Sequence, residues 1–274
     1  MIRLDASADR DQKLRIRAAR HAAAEQKRLH AQLRMALAAG GFVVHYQPVL
    51  HLQNSALWGA EALIRLVHRR RGLIAPGQFI PSAARSTLMN EIGGFVLAEA
   101  CRQAALWPAS WSVSVNIEAR QLDDGYLPGQ IAAALGAAAL APARLIIELN
   151  ETALPGLSNA ALACLRAMAA QGIRLALDDF GAGLPSLTAL RDLPFSIVKL
   201  DRRLTAGLPD LMPEMILVRS AIEAGHALNL TVIAKHVESG KQAHCLRALG
   251  CDAGQGHWFY PALPPAELRS LHRL

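Results

Sequence analysis

Short runs rich in β-branched and aromatic residues alternate with Ala- and Leu-rich stretches from residue 42 onward, and this alternation restricts the fold more than any other feature. The predicted strands are 42–47, 58–66, 111–117, 144–149, 173–179, 196–200, 230–235 and 251–256, and the predicted helices are 77–106, 126–140, 158–171, 209–228 and 239–249. Such alternation implies an α/β protein with parallel strands and helices outside them. Eight units in about 230 residues predict a closed (β/α)8 barrel. The alternative is an open doubly wound sheet, but no Gly-x-Gly-x-x-Gly segment follows the first strand.

Polar residues recur where the predicted strands end. They are Asn116, Glu148, Asp178, Asp179, Lys199, Lys235 and Gln255, with Glu61 on the second strand. The carboxyl ends of parallel barrel strands meet at one mouth, where active sites are built. Several acids and an asparagine converging there favour a divalent metal, because adjacent carboxylates repel each other unless a cation shares them. The residues alone therefore predict a Mg²⁺- or Mn²⁺-dependent site for a phosphorylated ligand.

Composition and cysteine spacing exclude several classes of protein. Apolar residues make up 52% of the 274 residues, which is too many for a disordered chain. No stretch reaches the roughly 18 consecutive apolar residues of a transmembrane helix, and the N-terminus lacks the apolar segment of a secretory signal. The four cysteines form no Cys-x-x-Cys pair, which favours small buried side chains in a reducing compartment. We therefore expect a cytoplasmic protein.

Most of the positive charge lies at the N-terminus. Residues 1–40 hold nine Lys or Arg and four Asp or Glu, so they contribute +5 of the formal charge of +7. Their apolar residues recur loosely at helical spacing up to Gly40, which predicts a basic helix or linker over 1–40 and a barrel domain over 41–274. Such a helix is typical of a solvated linker, of a contact with a protein partner, or of binding to nucleic acid or an acidic membrane.

Ordered motifs along the chain resemble those of EAL domains, the cyclic-di-GMP phosphodiesterases of bacteria. The blocks are Tyr46-Gln47-Pro48, Glu61-Ala62-Leu63-Ile64-Arg65, Phe79-Ile80-Pro81, Val115-Asn116-Ile117, Ala119-Arg120-Gln121-Leu122, Ile147-Glu148-Leu149-Asn150-Glu151, Ala176-Leu177-Asp178-Asp179-Phe180-Gly181, Val198-Lys199-Leu200-Asp201, Val237-Glu238, Gly250-Cys251-Asp252 and Gln255-Gly256. The order and spacing of these blocks carry the resemblance, since a lone Glu-Ala-Leu tripeptide has no diagnostic value. The resemblance implies a modified (β/α)8 TIM-type barrel with one antiparallel strand, preceded by the N-terminal helix.

The resemblance also implies roles for individual residues. The implied metal ligands, for one or two Mg²⁺ or Mn²⁺ ions, are Glu61, Asn116, Glu148, Asp178 and Asp179, with Asp178 bridging the two. The implied catalytic residues are Lys199, Glu238 and Gln255, and the residues implied to hold cyclic-di-GMP are Gln47, Arg65 and Asp201. Loop anchoring and coupling to a homodimer interface are implied for Glu151, Phe180 and Gly181. The implied reaction is attack of a metal-activated hydroxide on one phosphodiester, which gives linear pGpG.

One departure from the family pattern falls at the implied metal site. The family usually reads Ala-Glu-Gly-Val-Glu after its seventh strand, whereas this chain reads Ala234-Lys235-His236-Val237-Glu238. A protonated ammonium repels cations and cannot ligate them. We therefore expect Lys235 to replace the charge of the second cation without its chemistry, or else to turn out to solvent. His236 is not expected to replace the lost ligand, because adjacent strand residues point to opposite sides.

Three functional hypotheses follow. The first is a degenerate EAL-type protein that binds cyclic-di-GMP or a protein partner with little or no hydrolysis. The second is an active phosphodiesterase that tolerates Lys235, and the third is a scaffold whose basic helix binds nucleic acid or lipid.

A further departure, Ala182-Gly183-Leu184-Pro185 in place of Thr-Gly-Tyr-Ser, is expected to alter the loop 179–186 and its coupling to the dimer.

Overall fold

The computed structural model describes residues 5–83, 86–181 and 187–273. The strands are β1 (Phe42–His51), β2 (Leu57–His68), β3 (Gly72–Ile74), β4 (Ser112–Ile117), β5 (Leu145–Asn150), β6 (Arg174–Phe180), β7 (Ile197–Leu200), β8 (Thr231–Ala234) and β9 (Ala253–Gly254). The α-helices are α1 (Asp5–Ala38), α2 (Ile80–Ala83), α3 (Leu88–Ala104), α4 (Ala119–Asp123), α5 (Leu127–Ala138), α6 (Asn159–Ala170), α7 (Leu187–Asp192), α8 (Arg202–Thr205), α9 (Met212–Ala227), α10 (Gly240–Ala248) and α11 (Pro265–Ser270). Short 3₁₀ helices lie at Pro76–Gln78, Pro142–Arg144, Glu151–Gly156 and Leu271–Arg273.

Eight of these strands close into a ring. Their order is β1-β9-β8-β7-β6-β5-β4-β2, and β2 pairs again with β1. Each strand in the series β2, β4, β5, β6, β7, β8 and β9 is parallel to the next one. The remaining strand of the ring, β1, is antiparallel to β9. The prediction of a modified α/β barrel with one antiparallel strand is confirmed. The extra strand β3 lies outside the ring and pairs antiparallel with the end of β2.

The interior of the ring is a dry apolar core. One cluster takes a buried side chain from each of six strands, namely Val49, Ile146, Ala176, Ile197, Ile233 and Ala253, and Trp58 packs against it. Inward-facing aliphatic side chains fill the interior of eight-stranded barrels of this kind. Glu148, Asp178 and Lys199 each follow a member of this cluster by two residues on the same strand, so they lie next to the apolar layer toward the carboxyl ends of β5, β6 and β7.

The sequence specifies where several outer helices begin. Ser158 precedes α6 and accepts a hydrogen bond from the backbone N–H of Ala161. Ser239 precedes α10 and forms a reciprocal capping box with Gln242. Each cap satisfies backbone donors that the first helical turn leaves without partners. The capped helices connect successive strands, α6 between β5 and β6 and α10 between β8 and β9.

Two sequence predictions need correction. The predicted helix over 77–106 is divided into the 3₁₀ turn Pro76–Gln78, α2 and α3. Proline lacks an N–H, so Pro76 and Pro81 are tolerated in a first turn but not inside a long helix. The strand β3 was not predicted, because its three residues are too few to show a period.

The chain divides into two compact units. The first comprises Met1–Val43 and Arg65–Met89, and the second comprises Val44–Ile64 and Asn90–Leu274. In the first unit α1 contacts α2, His30 hydrogen-bonds the Ser82 carbonyl at 2.8 Å, and the Phe42 and Phe79 rings pack together. The predicted boundary between a helix of residues 1–40 and a barrel domain of residues 41–274 stays a prediction.

Among the residues described, no helix is long and apolar enough to cross a bilayer.

We expect Gly256→Ala to destabilise the fold. A Cβ at Gly256 would collide with the backbone of Val237, so the segments that follow β8 and β9 would have to separate. The expected loss in the free energy of unfolding is about 1–3 kcal/mol, as for other overpacked sites. Urea unfolding measures it, with Gly136→Ala as the matched control. Gly136 is exposed in α5 and a Cβ there meets nothing, so that variant should gain up to about 1 kcal/mol. Equal effects of the two variants would contradict the close approach.

Candidate active site

A buried lysine joins two of the predicted acids. The Lys199 side chain is 1% exposed, and its Nζ donates to Glu61 Oε2 and to both carboxylate oxygens of Glu148, each at 2.7 Å. Glu61 lies on β2, Glu148 on β5 and Lys199 on β7, so three strands converge on one ammonium. A buried charge needs partners of this kind, because an unpaired ion in the interior costs several kcal/mol. The cluster therefore fixes three strand ends relative to one another.

A second lysine joins the other two acids. Lys235 Nζ lies 2.8 Å from both Oδ1 and Oδ2 of Asp178 and 2.7 Å from Asp179 Oδ1. Its side chain is 13% exposed, so it points into the strand-end cluster and not out to solvent. The alternative that Lys235 turns outward is wrong.

The backbone explains how two adjacent aspartates reach the same ammonium. Successive strand residues normally point to opposite faces of a sheet. The pairing of β6 with β7 shifts register between Leu177 and Phe180, and Asp179 has a left-handed φ of 55°. Aspartate tolerates this conformation better than most residues do. The irregularity turns both carboxylates toward Lys235.

Amide side chains connect the two clusters to their surroundings. Asn116 Nδ2 donates to Glu61 Oε1 at 2.7 Å, and Gln255 Nε2 donates to Glu61 Oε2 at 2.9 Å. Gln255 Nε2 also donates a hydrogen bond to Gln47 Oε1 at 3.3 Å. Gln255 Oε1 is buried and has no hydrogen-bond partner among the described residues. That oxygen can accept a hydrogen bond from a bound molecule.

The ammonium groups set the ionisation of the cluster. Burial by itself would raise the pKa of Glu61, but the charges of Lys199 and Lys235 hold the pKa of Glu61 well below its usual range. Burial and the nearby Glu61 charge raise the pKa of Glu148 to about 7. Burial opposes the charged form of both lysines, yet the surrounding carboxylates outweigh it and hold the pKa of Lys199 and of Lys235 above its ordinary value. Both lysines are therefore cations at neutral pH.

This arrangement fits two ammonium ions better than it fits two metal ions. Across residues 5–83, 86–181 and 187–273, no group of three His, Cys, Asp or Glu residues is arranged to hold a metal. Lys199 lies between Glu61 and Glu148, and Lys235 lies between Asp178 and Asp179. Carboxylates and an amide suit Mg²⁺ or Mn²⁺ by type. A cation shared by the two aspartates, however, would have to displace Lys235.

A pocket of about 380 Å³ opens beside the cluster. Its walls include Gln47, Glu61, Lys235 and Gln255 from the prediction, together with Leu63, Arg202, His236, Glu238, Gly256 and His257. His236 has a left-handed φ of 55°, and β8 ends at Ala234. The strand alternation used to place His236 on the far side therefore does not apply.

Two predicted residues have other contacts. Asp201 Oδ1 accepts hydrogen bonds from the backbone N–H of Arg203 at 2.9 Å and from its Nε at 3.0 Å, so Asp201 caps α8. Burial opposes ionisation of Asp201, but these bonds with Arg203 keep its pKa below the usual range. Glu238 lies at the pocket rim and pairs at 3.4 Å with the exposed Arg202. Neither residue contacts a lysine of the cluster.

Two of the implied loop-anchoring residues, Glu151 and Gly181, contact each other. The buried Glu151 accepts a hydrogen bond at its Oε2 from the Gly181 backbone N–H at 3.1 Å. Gly181 has a φ of 92°, and a Cβ there would collide with Leu204. Phe180 is buried at the end of β6. The predicted ligand-binding residue Arg65 belongs to the first compact unit. Residues 182–186 of the implied loop lie outside the described residues.

Sequence reasoning missed two residues of the site. Asn150 Nδ2 donates to Asp179 Oδ2 at 2.6 Å and so orients that carboxylate. Asn150 ends β5, so the rule that found the other polar strand ends could have found it. Arg202 follows β7 and lines the pocket, but its place depends on the turn into α8, which carries no sequence signal of its own.

The EAL domain profile matches residues 30–262. The chain belongs to the EAL domain family. It is 37% identical over 250 residues to MucR of Pseudomonas aeruginosa, named a bifunctional diguanylate cyclase/cyclic di-GMP phosphodiesterase, covering 90% of this chain and 36% of that protein. It is 38% identical over 247 residues to an uncharacterised Mycobacterium tuberculosis protein, covering 86% of this chain and 80% of that protein.

Solved EAL structures agree with the fold. The MucR phosphodiesterase in complex with c-di-GMP matches with a TM-score of 0.83 and 37% identity, covering 88% of this chain and 99% of that one. The FimX EAL domain of Xanthomonas citri with c-diGMP matches with a TM-score of 0.80 and 27% identity, covering 89% and 97%. The chain spans about a third of the length of the first four curated relatives it matches.

We expect Lys199→Met in this EAL domain to lower the free energy of unfolding by about 3–5 kcal/mol, because it leaves two buried carboxylates without their cation. Urea unfolding near pH 8 measures the loss. Lys241→Met, at an exposed position in α10, is the matched control and should change stability by less than about 0.5 kcal/mol. A loss no larger than that of the control would show that Lys199 is not needed to compensate the acids.

Proposed function

We propose that this chain is a degenerate EAL domain of bacterial cyclic-di-GMP signalling, which binds cyclic-di-GMP or a protein partner with little or no hydrolysis. The observation that carries the proposal is the contact of Lys235 Nζ with Asp178 and Asp179 at 2.7–2.8 Å. In the family pattern a glutamate that helps hold the second cation stands at this position. EAL domains are generally dependent on divalent metals.

Charge supports this assignment. Four carboxylates contact two ammonium groups here, which gives a formal balance of −2. A glutamate at position 235 would make that balance −4, and the difference equals one divalent cation. Lys235 therefore supplies the charge that the second ion would supply.

The chemistry of the two cations differs. A divalent metal lowers the pKa of a bound water and so generates hydroxide near neutral pH. An ammonium has no site for a coordinated water and acts only as a hydrogen-bond donor and a fixed charge. Lys235 can therefore help to hold an anionic ligand, but it cannot produce the nucleophile. Loss of turnover with retained binding is the expected result.

The ligand is proposed from the pocket and from the relatives. MucR and FimX domains with 37% and 27% identity are described as complexes with c-di-GMP. In this chain Gln47, Gln255 and Arg202 line the pocket, and Gln255 Oε1 is a buried acceptor that lacks a described partner. We assign Gln47 and Gln255 to ligand binding. The ligand-binding role of Arg65 stays a prediction. The first metal site, with Mg²⁺ or Mn²⁺ at Glu61, Asn116, Glu148 and Asp178, stays a prediction.

An active phosphodiesterase is the second candidate function. It is favoured by the convergence of Glu61, Glu148, Asp178, Asp179 and Lys199 at one strand-end cluster. This candidate requires Lys235 to leave the two aspartates when metal and substrate bind. The ion pairs of Lys235 with Asp178 and Asp179 oppose that movement.

A homodimer and a cytoplasmic location also stay predictions. One feature supports self-association of the second compact unit. Four large apolar side chains at the start of α9, Leu211, Met212, Ile216 and Leu217, are each at least half exposed. Clusters of exposed apolar residues are typical of protein interfaces.

We expect the wild-type protein to convert cyclic-di-GMP to pGpG slowly or not at all with Mg²⁺ or Mn²⁺, and Lys235→Glu to raise the rate at least about tenfold by restoring a carboxylate ligand. Chromatography of the products measures both rates. Lys235→Met is the matched control, because it removes the charge without adding a ligand, and it should stay inactive. A wild type as fast as Lys235→Glu would establish the active phosphodiesterase instead.

We expect cyclic-di-GMP binding by the wild type to be insensitive to chelation, with less than about a twofold change in Kd between Mg²⁺ and EDTA. In Lys235→Glu the dianionic ligand would meet a more acidic cluster, so EDTA should weaken binding at least about tenfold. Isothermal titration calorimetry measures both constants. An equal dependence on Mg²⁺ in the two proteins would contradict the replacement of a cation by Lys235.

A further inference from the structure

A groove of about 670 Å³ lies within the first compact unit. One wall is the last part of α1, and the other is the hairpin formed by β2 and β3. We call it the hairpin groove. Leu33, Ile74 and Phe79 line it and are almost fully buried, so its floor is apolar.

The rim of the hairpin groove is strongly basic. Arg69, Arg70 and Arg71 follow one another in the turn between β2 and β3, and all three are exposed. The backbone N–H groups of Arg70 and Arg71 both donate to His68 Nδ1 at 3.2 Å, which fixes the turn. Arg71 also donates to Gln78 Oε1 at 2.6 Å. No carboxylate in the described part of the chain forms an ion pair with these arginines, so three positive charges stand uncompensated beside an apolar floor.

The hairpin also carries exposed apolar side chains, of which Val67 lines the groove. Val67 and Leu73 lie opposite each other in the β2–β3 register, and each is 49% exposed. Single exposed apolar residues are common on protein surfaces, but a contiguous apolar patch bordered by charge is typical of a binding site. Arginine is also enriched at protein interfaces, where its stem covers apolar surface and its head pairs with acids.

We propose that the hairpin groove binds an acidic amphipathic peptide segment of a partner protein. The apolar floor fits the apolar side chains of such a segment, and the unpaired arginines fit its carboxylates. The groove is concave, which favours a peptide over a flat bilayer. Among its described lining residues Phe79 is the one Phe, Tyr or Trp, and it is 2% exposed, so no large exposed ring is offered for stacking nucleic-acid bases. The proposal does not depend on the dinucleotide site.

The test is selection from a display library by the full chain. The library holds peptides of about 14 residues, or four helical turns, with apolar residues varied at i, i+3, i+4 and i+7 and Asp or Glu at most other positions. The expected result is a set of binders that Arg70→Glu weakens at least about tenfold and that lose affinity with rising salt. Arg166→Glu is the matched control, because it makes the same charge change at an exposed position in α6, and it should leave binding unchanged.

Two further measurements locate the binding and separate the alternatives. Hydrogen exchange of the complex should show protection of residues 29–36 and 66–74, and the near-isosteric Val67→Thr should weaken binding about threefold. Circular dichroism checks that every variant is folded. The proposal is overturned if no binder depends on Arg70, if Arg166→Glu weakens binding equally, or if protection falls elsewhere. Arg70-dependent binding of phosphatidylserine vesicles or single-stranded DNA without any peptide binder would overturn it in favour of that ligand.

Discussion

The pairing of two ammonium groups, the buried Lys199 and the partly buried Lys235, with four carboxylates is the interaction on which the site depends. Lys199 and Lys235 join strand ends from β2, β5 and β6 to β7 and to the segment after β8. Each acid would be costly to bury alone, so the lysines make the convergence possible. The same pairs also decide the chemistry, since they occupy the space between acids that would otherwise repel each other or share a metal.

The barrel and the site have different physical origins. The apolar layer inside the ring stabilises the fold through burial and needs only side chains of suitable volume. Buried ion pairs such as those at the mouth contribute little net stability compared with apolar residues of the same volume. A barrel can thus persist while the charges at its mouth change. In the proposed function Lys235 is such a change, and it places a cation beside Asp178 and Asp179.

Much of the molecule could be predicted from residue pattern. All eight ring strands were found, because parallel strands buried on both faces give apolar runs with polar ends. The short β3 and the breaks within 77–106 were missed, since neither has enough residues to show a period. In the site, Glu61, Glu148, Asp178 and Lys199 were found because each lies on a strand. Arg202 and the orientation of His236 were not, because they depend on turns.

The sequence by itself determined the barrel, the family motifs and the presence of a lysine at position 235. Those features depend on the residue type at each position and on the spacing of apolar residues along each strand or helix. Only the tertiary structure decided that Lys235 points inward, that a register shift turns both Asp178 and Asp179 toward it, and that Asp201 caps a helix. It also brought three exposed arginines, Arg69, Arg70 and Arg71, to the edge of an apolar groove. These outcomes depend on backbone dihedrals and on contacts between distant segments, which no local pattern encodes.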